Sequence, residues 1–214
     1  MGRDSAETCD RYGWKDEQAT CAHDYLLPIV LRETERLRAD KPLRILDLGC
    51  GNGYVSAELA RRGHDVLGID ASPDGIEIAR REYPAARFEA CSVYEERLAS
   101  LVGDPLDCVI ALEVIEHLYY PRRLLSQAYA LARPGGWVIV STPYHGYAKN
   151  LAISLYNGWD AHFHAGWDGG HIKFFSRRSL SAMIQEAGFE APRFIGAGRA
   201  PLLWKSMLLI ARKE

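Results

Sequence analysis

The sequence predicts an α/β protein with a seven-stranded, mostly parallel sheet, helices on both faces and an antiparallel hairpin at the C-terminus. Two observations carry this prediction. Short apolar runs with strand character alternate with segments of helical periodicity, which is typical of a parallel sheet. The last two apolar runs, 192–197 and 204–211, have no helix between them, so we expect them to pair as a hairpin at one edge of the sheet.

Each element has its own signal in the chain. Apolar residues at helical spacing predict a first helix over 22–38, which Pro28 should kink. Ser72 and Ser176 precede two further helical segments and are candidate N-caps. Helices are also predicted over 55–62 and from Pro121 to about residue 133. The five strands that should precede the hairpin cover 43–48, 65–69, 87–90, 107–112 and 137–141.

Composition and charge exclude several classes of protein. The chain has 214 residues, 48% of them apolar and 25% charged, with a net charge of −2. No basic stripe is present, so we expect no nucleic acid partner. No run of about 18 apolar residues is present, so we expect no transmembrane helix. The five cysteines lack a C-x-x-C spacing and are odd in number, which favours a reducing cytoplasm over a disulfide framework or zinc ribbon.

The chain divides into two predicted parts. Residues 1–40 are expected to form an N-terminal helical segment that caps the main domain, which covers 41–214. Within that domain, 143–175 is one long connection and is expected to be an insertion on the substrate side, because long connections in compact domains are usually functional. Nothing in the sequence predicts the oligomeric state.

A glycine-rich loop after the first strand is the first chemical signal. Gly49, Gly51 and Gly53 form G-x-G-x-G between a strand and a helix, and Asp70 ends the next strand, where it can accept ribose hydroxyls. A dinucleotide loop needs its third glycine at position 54, which is Tyr54. The spacing therefore favours S-adenosylmethionine (SAM) over NAD. The alternative is a tight turn that only packs a helix on the sheet.

Four segments in order resemble the class I SAM-dependent methyltransferases: ILDLGCGNG, GID, DCVIALEVIEHL and LARPGGWVIVSTP. The resemblance covers about 40–214 and implies a Rossmann-like fold. It implies that Asp47 lies under the methionine amino group, that Asp70 holds the ribose, and that the Leu112 carbonyl lies near the methionine. The family often has an acidic residue after the third strand, where this chain has Ser92, which we expect to substitute for it. The implied cofactor-binding residues are Asp47, Gly49, Gly51, Gly53, Asp70, Ala71, Ser92, Val93 and Leu112.

The second chemical signal is Glu113-Val114-Ile115-Glu116-His117 at the end of the fourth strand. If this stretch is helical, Glu113, Glu116 and His117 share a face and can hold a divalent cation such as magnesium. The alternative is that they position a loop and a substrate without metal. The E-x-x-E-H pattern resembles the ubiquinone-biosynthesis O-methyltransferases, which implies a divalent ion and a hydroxylated aromatic or quinol acceptor.

The long connection supplies further candidates. It is rich in aromatic residues and histidines, which predicts a pocket for a flat acceptor. His162 or His164, oriented by Asp160 or Asp168, is a candidate general base, and His117 is a third candidate catalytic residue. We expect His171 to anchor the loop. A helix over 148–159 should form a lid, with peripheral membrane contact as the alternative.

The predicted function is SAM-dependent O-methylation of a small hydroxylated acceptor. The alternatives are a metal-independent N-, C- or carboxyl-methyltransferase and, with less support, a non-catalytic SAM-binding protein. DNA amino-methylation is disfavoured. Its N/D-P-P-Y motif follows the fourth strand, whereas Ser141-Thr142-Pro143-Tyr144 follows the fifth and has a single proline.

Overall fold

The computed structural model describes residues 14, 16–18, 22–38, 40–163, 166 and 169–214. In this part of the chain seven strands form one sheet: β1 (Arg44–Leu48), β2 (Asp65–Asp70), β3 (Arg87–Ala90), β4 (Leu106–Leu112), β5 (Ala132–Pro143), β6 (Arg193–Ala197) and β7 (Ser206–Arg212). The same residues form eight α-helices: α1 (His23–Leu37), α2 (Tyr54–Arg61), α3 (Pro73–Glu82), α4 (Leu98–Val102), α5 (Pro121–Leu131), α6 (Tyr147–Leu155), α7 (Trp159–His162) and α8 (Arg177–Glu186). A 3₁₀ turn covers Ile115–His117.

The strands lie in the order β3-β2-β1-β4-β5-β7-β6. Neighbouring strands are parallel from β3 to β5, and β7 runs antiparallel to both β5 and β6. The predicted fold class is therefore confirmed, including the C-terminal hairpin. The chain reverses its direction of travel across the sheet between β1 and β4, and the crevice at the carboxyl ends of such strands is where ligands bind in open α/β sheets.

The core has two apolar layers, one on each face of the sheet. In β1, Ile45 packs into one layer, and Leu46 and Leu48 pack into the other, because successive side chains of a strand point to opposite faces. Helix α1 contributes Leu26 and Val30 to the layer that contains Ile45. A division of the chain at residue 40 stays a prediction, and α1 shares its core with the sheet.

The predicted helix caps are present. The Ser72 side chain accepts a hydrogen bond from Gly75 N at 3.3 Å. Ser176 and Ser179 form a reciprocal capping box at the start of α8, each side chain accepting from the backbone N–H of the other. Pro28 lies inside α1, which continues beyond it. Among the described helices, none combines the length and the apolar character that a membrane span requires.

Two element boundaries differ from the prediction. Strand β5 begins at Ala132, well before the predicted start, because Gly135 N donates to Lys213 O and Lys213 N donates to Gly136 O. The helix predicted over 148–159 is divided into α6 and α7. Asn157 between them has a φ of +49°, which a helix cannot continue through.

Candidate active site

A cavity of about 450 Å³ opens at the carboxyl ends of the strands, and its lining has two halves. We call the first the cofactor half; its described lining includes Asp47, Gly49, Cys50, Asp70, Ala71, Ser92, Val93 and Leu112. We call the second the acceptor half; its described lining includes Tyr25, Glu113, His117, His171, Lys205 and Ser206. The residues predicted around the cofactor are thus largely brought together at one cavity wall.

The carboxylate of Asp70 fixes the glycine loop. Its Oδ2 accepts a hydrogen bond from Gly51 N at 2.8 Å, and its Oδ1 accepts from Ser72 N at 2.8 Å. Burial raises the pKa of Asp70, while these backbone donors oppose the shift. Each carboxylate oxygen has a second lone pair, so Asp70 can also accept two hydroxyl donors from the cavity.

The loop glycines are needed for their backbone angles and for close packing. Gly49, Gly51 and Gly53 have φ values of +83°, +55° and +81°. A Cβ on Gly49 would lie 2.4 Å from Val114 Cγ2, and one on Gly51 would lie 2.2 Å from Trp14 Cζ2. The space over Gly51 is therefore taken by Trp14, a residue of the cavity wall that sequence reasoning did not identify.

Asp47 lies beneath the loop and is 2% exposed. Its Oδ2 accepts a hydrogen bond from Ser56 Oγ at 2.6 Å. Burial raises the pKa of Asp47 to about 7, with a further contribution from the charge of Asp70, and the Ser56 hydrogen bond opposes the shift. A buried carboxylate at a cavity wall is a natural partner for a cationic ligand group.

The segment after β3 has its own hydrogen bonds. Ser92 N donates to Glu95 Oε1 at 2.7 Å, and Ser92 Oγ accepts from Tyr94 N at 3.2 Å. The backbone N–H of Ser92 is therefore engaged, and the hydroxyl proton is what this residue has left to offer a ligand.

The carboxylate of Glu113, the first residue of the E-x-x-E-H pattern, is bound by two serines. It has a left-handed backbone with a φ of +54°, and helical structure begins only at Ile115. Its Oε1 accepts from Ser141 Oγ at 2.8 Å and its Oε2 accepts from Ser206 Oγ at 3.0 Å. Tyr25 Oη lies 3.2 Å from Ser206 Oγ. Burial raises the pKa of Glu113 to about 7, against the two serine hydrogen bonds.

Glu116 and His117 meet a third residue, His171, from the end of the long connection. One ligand atom of each of the three lies within 4.8 Å of the others, and Glu116 Oε1 is 3.9 Å from His171 Nε2. Glu116 is 1% exposed, and neither of its carboxylate oxygens makes a hydrogen bond of regular geometry within the described residues. Burial, with the charge of Glu113, raises the pKa of Glu116. The Thr142 side chain lies close enough to oppose the rise of the Glu116 pKa.

Backbone hydrogen bonds hold this cluster in place. Ile172 N and Lys173 N both donate to Glu116 O at 3.0 Å. His117 Nδ1 lies 2.8 Å from Gly169 O, so Nδ1 carries the proton and Nε2 carries the lone pair. Burial lowers the pKa of His117, and burial with the nearby imidazoles lowers that of His171 to about 4. Both rings are therefore neutral near pH 7, which is the form that binds metal ions.

Known proteins match this chain in sequence and in fold. The family model described as a methyltransferase domain matches residues 20–191. A ubiquinone biosynthesis O-methyltransferase of Azorhizobium caulinodans is 35% identical over 182 residues, which are 81% of this chain and 70% of that protein. One from Cereibacter sphaeroides is 31% identical over 191 residues, 86% of this chain and 76% of its own.

The chain belongs to the methyltransferase family. The predictions of a SAM-dependent methyltransferase and of a Rossmann-like fold are thereby confirmed. The magnesium protoporphyrin IX methyltransferase of Synechocystis, solved with bound S-adenosylhomocysteine (SAH), shares the fold with a TM-score of 0.65 at 20% identity, covering 94% of this chain and 90% of that one.

The structure places two candidate residues of the acceptor side apart from the cluster of Glu116, His117 and His171. Glu113 does not join Glu116 and His117, because its left-handed backbone directs its carboxylate to two serines instead. His162 is exposed, does not line the cavity and pairs its Nδ1 with Gly158 O at 3.2 Å, so the structure gives it the place of a loop anchor. His164 and Asp168 lie outside the described residues.

The role of α6 in the methyltransferase stays a prediction. None of its residues lines the cavity, and Tyr147 and Leu155 on it are exposed to solvent. The lid and the membrane-contact alternatives are therefore both still open for this helix.

Proposed function

We propose that this methyltransferase transfers the SAM methyl group to a hydroxyl of a small aromatic acceptor of the quinol or catechol class. The observation that supports this is the composition of the acceptor half: a buried carboxylate–imidazole cluster and a hydrogen-bonded tyrosine–serine–glutamate chain share one cavity wall. Both are suited to removing a proton from an oxygen. The names of the relatives, ubiquinone biosynthesis O-methyltransferases, agree with this acceptor class.

In the cofactor half, Asp70 accepts the ribose hydroxyls and Asp47 holds the methionine ammonium through the loop. Ala71 and Val93 contact the adenine, and the hydroxyl of Ser92 replaces the family's acidic contact. This arrangement presents the sulfonium methyl toward the acceptor half, and holding both reactants in one cavity turns a bimolecular step into one within a complex. A phenol has a pKa of about 10, so the protein must help its proton to leave near pH 7.

Glu116, His117 and His171 fit a divalent ion. The supporting observation is the buried Glu116 carboxylate, which makes no hydrogen bond of regular geometry within the described residues and lies beside two neutral imidazoles. Two imidazoles and one carboxylate suit zinc, iron, cobalt or manganese better than magnesium. Such an ion, when bound, would lower the pKa of an acceptor hydroxyl that coordinates it.

The acceptor atom is tested by mass spectrometry with SAM that carries a deuterated methyl group. We offer the wild-type protein a catechol, a matching aniline and a matching benzoate, each with and without added zinc or manganese. We expect the label on the catechol oxygen. A matched pair of variants, Glu116→Gln in the buried cluster beside the cavity and Glu186→Gln on the exposed face of α8, should separate loss at the site from loss of fold. Label only on the aniline or the benzoate would favour N- or carboxyl-methylation instead.

The same proposal places the enzyme in the cytoplasm, in peripheral contact with a membrane. Cys50, Cys91 and Cys108 are free thiols, as expected in a reducing cytoplasm. The exposed aromatic and aliphatic side chains of α6 provide a surface for peripheral contact with a membrane that holds a lipid-borne acceptor.

A further inference from the structure

We propose that Tyr25, from the N-terminal segment, is a catalytic residue of this enzyme, and that it passes the acceptor's hydroxyl proton through Ser206 to Glu113. This proposal rests on the proposed O-methyl transfer. It gives a role to three residues from three distant parts of the chain: α1, the start of β7 and the end of β4.

The three side chains form a continuous hydrogen-bonded route from the cavity to a buried carboxylate. Tyr25 Oη lies 3.2 Å from Ser206 Oγ, and Ser206 Oγ donates to Glu113 Oε2 at 3.0 Å. Because the Ser206 proton points to the carboxylate, the Ser206 oxygen accepts from the Tyr25 hydroxyl. A tyrosine hydroxyl both donates and accepts, so the Tyr25 oxygen can also accept a proton from the next donor in line. All three residues line the cavity, so that donor can be the acceptor hydroxyl.

The surroundings fix this route. Ser141 Oγ donates to the other oxygen of Glu113, at 2.8 Å, which orients the carboxylate toward Ser206. Lys205 Nζ lies 5.1 Å from the centroid of the Tyr25 ring, and this cation–π contact holds the ring in place. Glu113 has a left-handed backbone, which is strained for a residue other than glycine. Backbone strain of this kind is concentrated at functional sites.

The proton balance is complete within these residues. The acceptor oxygen forms a bond to the methyl carbon as the bond from that carbon to sulfur breaks and its electron pair returns to sulfur. The acceptor proton moves to the Tyr25 oxygen, the Tyr25 proton moves to Ser206, and the Ser206 proton moves to the Glu113 carboxylate. The products are the methyl ether, SAH and a neutral Glu113, which later releases its proton to solvent. No oxidant or further reactant is needed.

The test compares two phenols that differ in their need for a base. Catechol must lose a proton at pH 7.5, whereas 4-nitrocatechol is already largely ionised. We expect Tyr25→Phe and Ser206→Ala to lower kcat for catechol by about 100-fold, because general-base catalysis contributes at least roughly 100-fold. The same variants should change kcat for 4-nitrocatechol by less than about fivefold, because that phenol needs no base. The Kd for SAM should not change. Tyr156→Phe and Ser100→Ala, at exposed positions, are the matched controls.

A second measurement needs no turnover. The absorption of 4-nitrocatechol bound to SAH-loaded protein below its own pKa reports whether its proton has left. We expect the ionised spectrum in the wild type and the neutral spectrum in Tyr25→Phe. Equal losses for both phenols would make Tyr25 a structural residue and overturn the relay while O-methylation stands. A wild-type protein that neither binds nor methylates either phenol would overturn the proposed function, and the relay with it.

Discussion

The two halves of the cavity are built differently. The cofactor half comes almost entirely from one stretch of the chain, 47–93, in which each strand is followed directly by the residues that line the cavity. The acceptor half joins Tyr25 from α1, the Glu113–His117 segment, His171 from the long connection and Ser206 from β7. The first half is therefore a local property of the sequence, and the second exists only once the whole chain has folded.

Substitution of Glu116, compared with Glu113, should give the largest effect. Glu116→Gln should weaken the binding of zinc or manganese by more than about 100-fold, since it removes a direct ligand of the proposed metal site, whereas changes to residues around the ligands cost about 10- to 100-fold. Glu113→Gln should change it by only a few-fold, because its carboxylate is held by Ser141 and Ser206. The measurement is calorimetric titration of the metal-stripped protein.

The His171→Ala variant distinguishes two possible sets of metal ligands. The structure brings together Glu116, His117 and His171, whereas the E-x-x-E-H pattern implies Glu113, Glu116 and His117. His171→Ala should weaken metal binding about as much as Glu116→Gln does. If His171→Ala binds the ion normally and Glu113→Gln does not, the ligands are Glu113, Glu116 and His117, and the Glu113 carboxylate turns away from the two serines when the ion binds.

Asp70→Ala should give the next largest effect, on the cofactor half. It removes the proposed acceptor for the ribose hydroxyls and the observed acceptor for Gly51 N and Ser72 N, so the glycine loop loses its anchor as well. We expect SAM binding to weaken by about 50-fold, since hydrogen bonds to a charged group contribute about 1.5–3 kcal/mol. Calorimetry with SAM measures this, and Asp74→Ala at the exposed start of α3 is the control. Unchanged SAM affinity would place the cofactor elsewhere.

The same contrast explains which parts of the molecule the sequence predicts. The mostly parallel sheet, the hairpin, the caps at Ser72 and Ser176 and the candidate residues of the cofactor half all follow from short-range patterns: alternation, glycine spacing and N-cap residues. Trp14 and Tyr25 could not be found in this way, because their roles depend on contacts far along the chain: Trp14 lies over Gly51, and Tyr25 lies against Ser206 at the start of β7.

Glu113 shows how a pattern misleads when the local backbone is unknown. A spacing of i, i+3 and i+4 joins three side chains only on a helix. Here the helical turn begins two residues later, so the first carboxylate leaves the set and His171 takes its place. The signal for His171 was in the sequence, in the segment Gly169–Phe175, but its distance from Glu116 along the chain gave no reason to pair them.

The smallest predicted effect is a pH dependence of the SAM affinity, which should arise in the cofactor half alone. Burial raises the pKa of Asp47 to about 7 in the ligand-free protein. The methionine ammonium favours the ionised carboxylate and should lower that pKa in the complex, so binding below pH 7 must release a proton. SAM affinity should then fall as the pH drops, and be about fivefold weaker at pH 6 than at pH 7.

Two variants assign this proton. Asp47→Asn should bind SAM more weakly at pH 7 and lose the pH dependence between 6 and 7. Ser56→Ala should move the inflection to higher pH, because the Ser56 hydroxyl stabilises the ionised carboxylate at 2.6 Å. Calorimetry at each pH measures the SAM affinity. Glu113→Gln and Glu116→Gln, measured in parallel, test whether the acceptor side contributes to the pH dependence. An undiminished pH dependence in Asp47→Asn, with Glu113→Gln unchanged from the wild type, would assign the proton to Asp70, the other carboxylate of the cofactor half whose pKa burial raises.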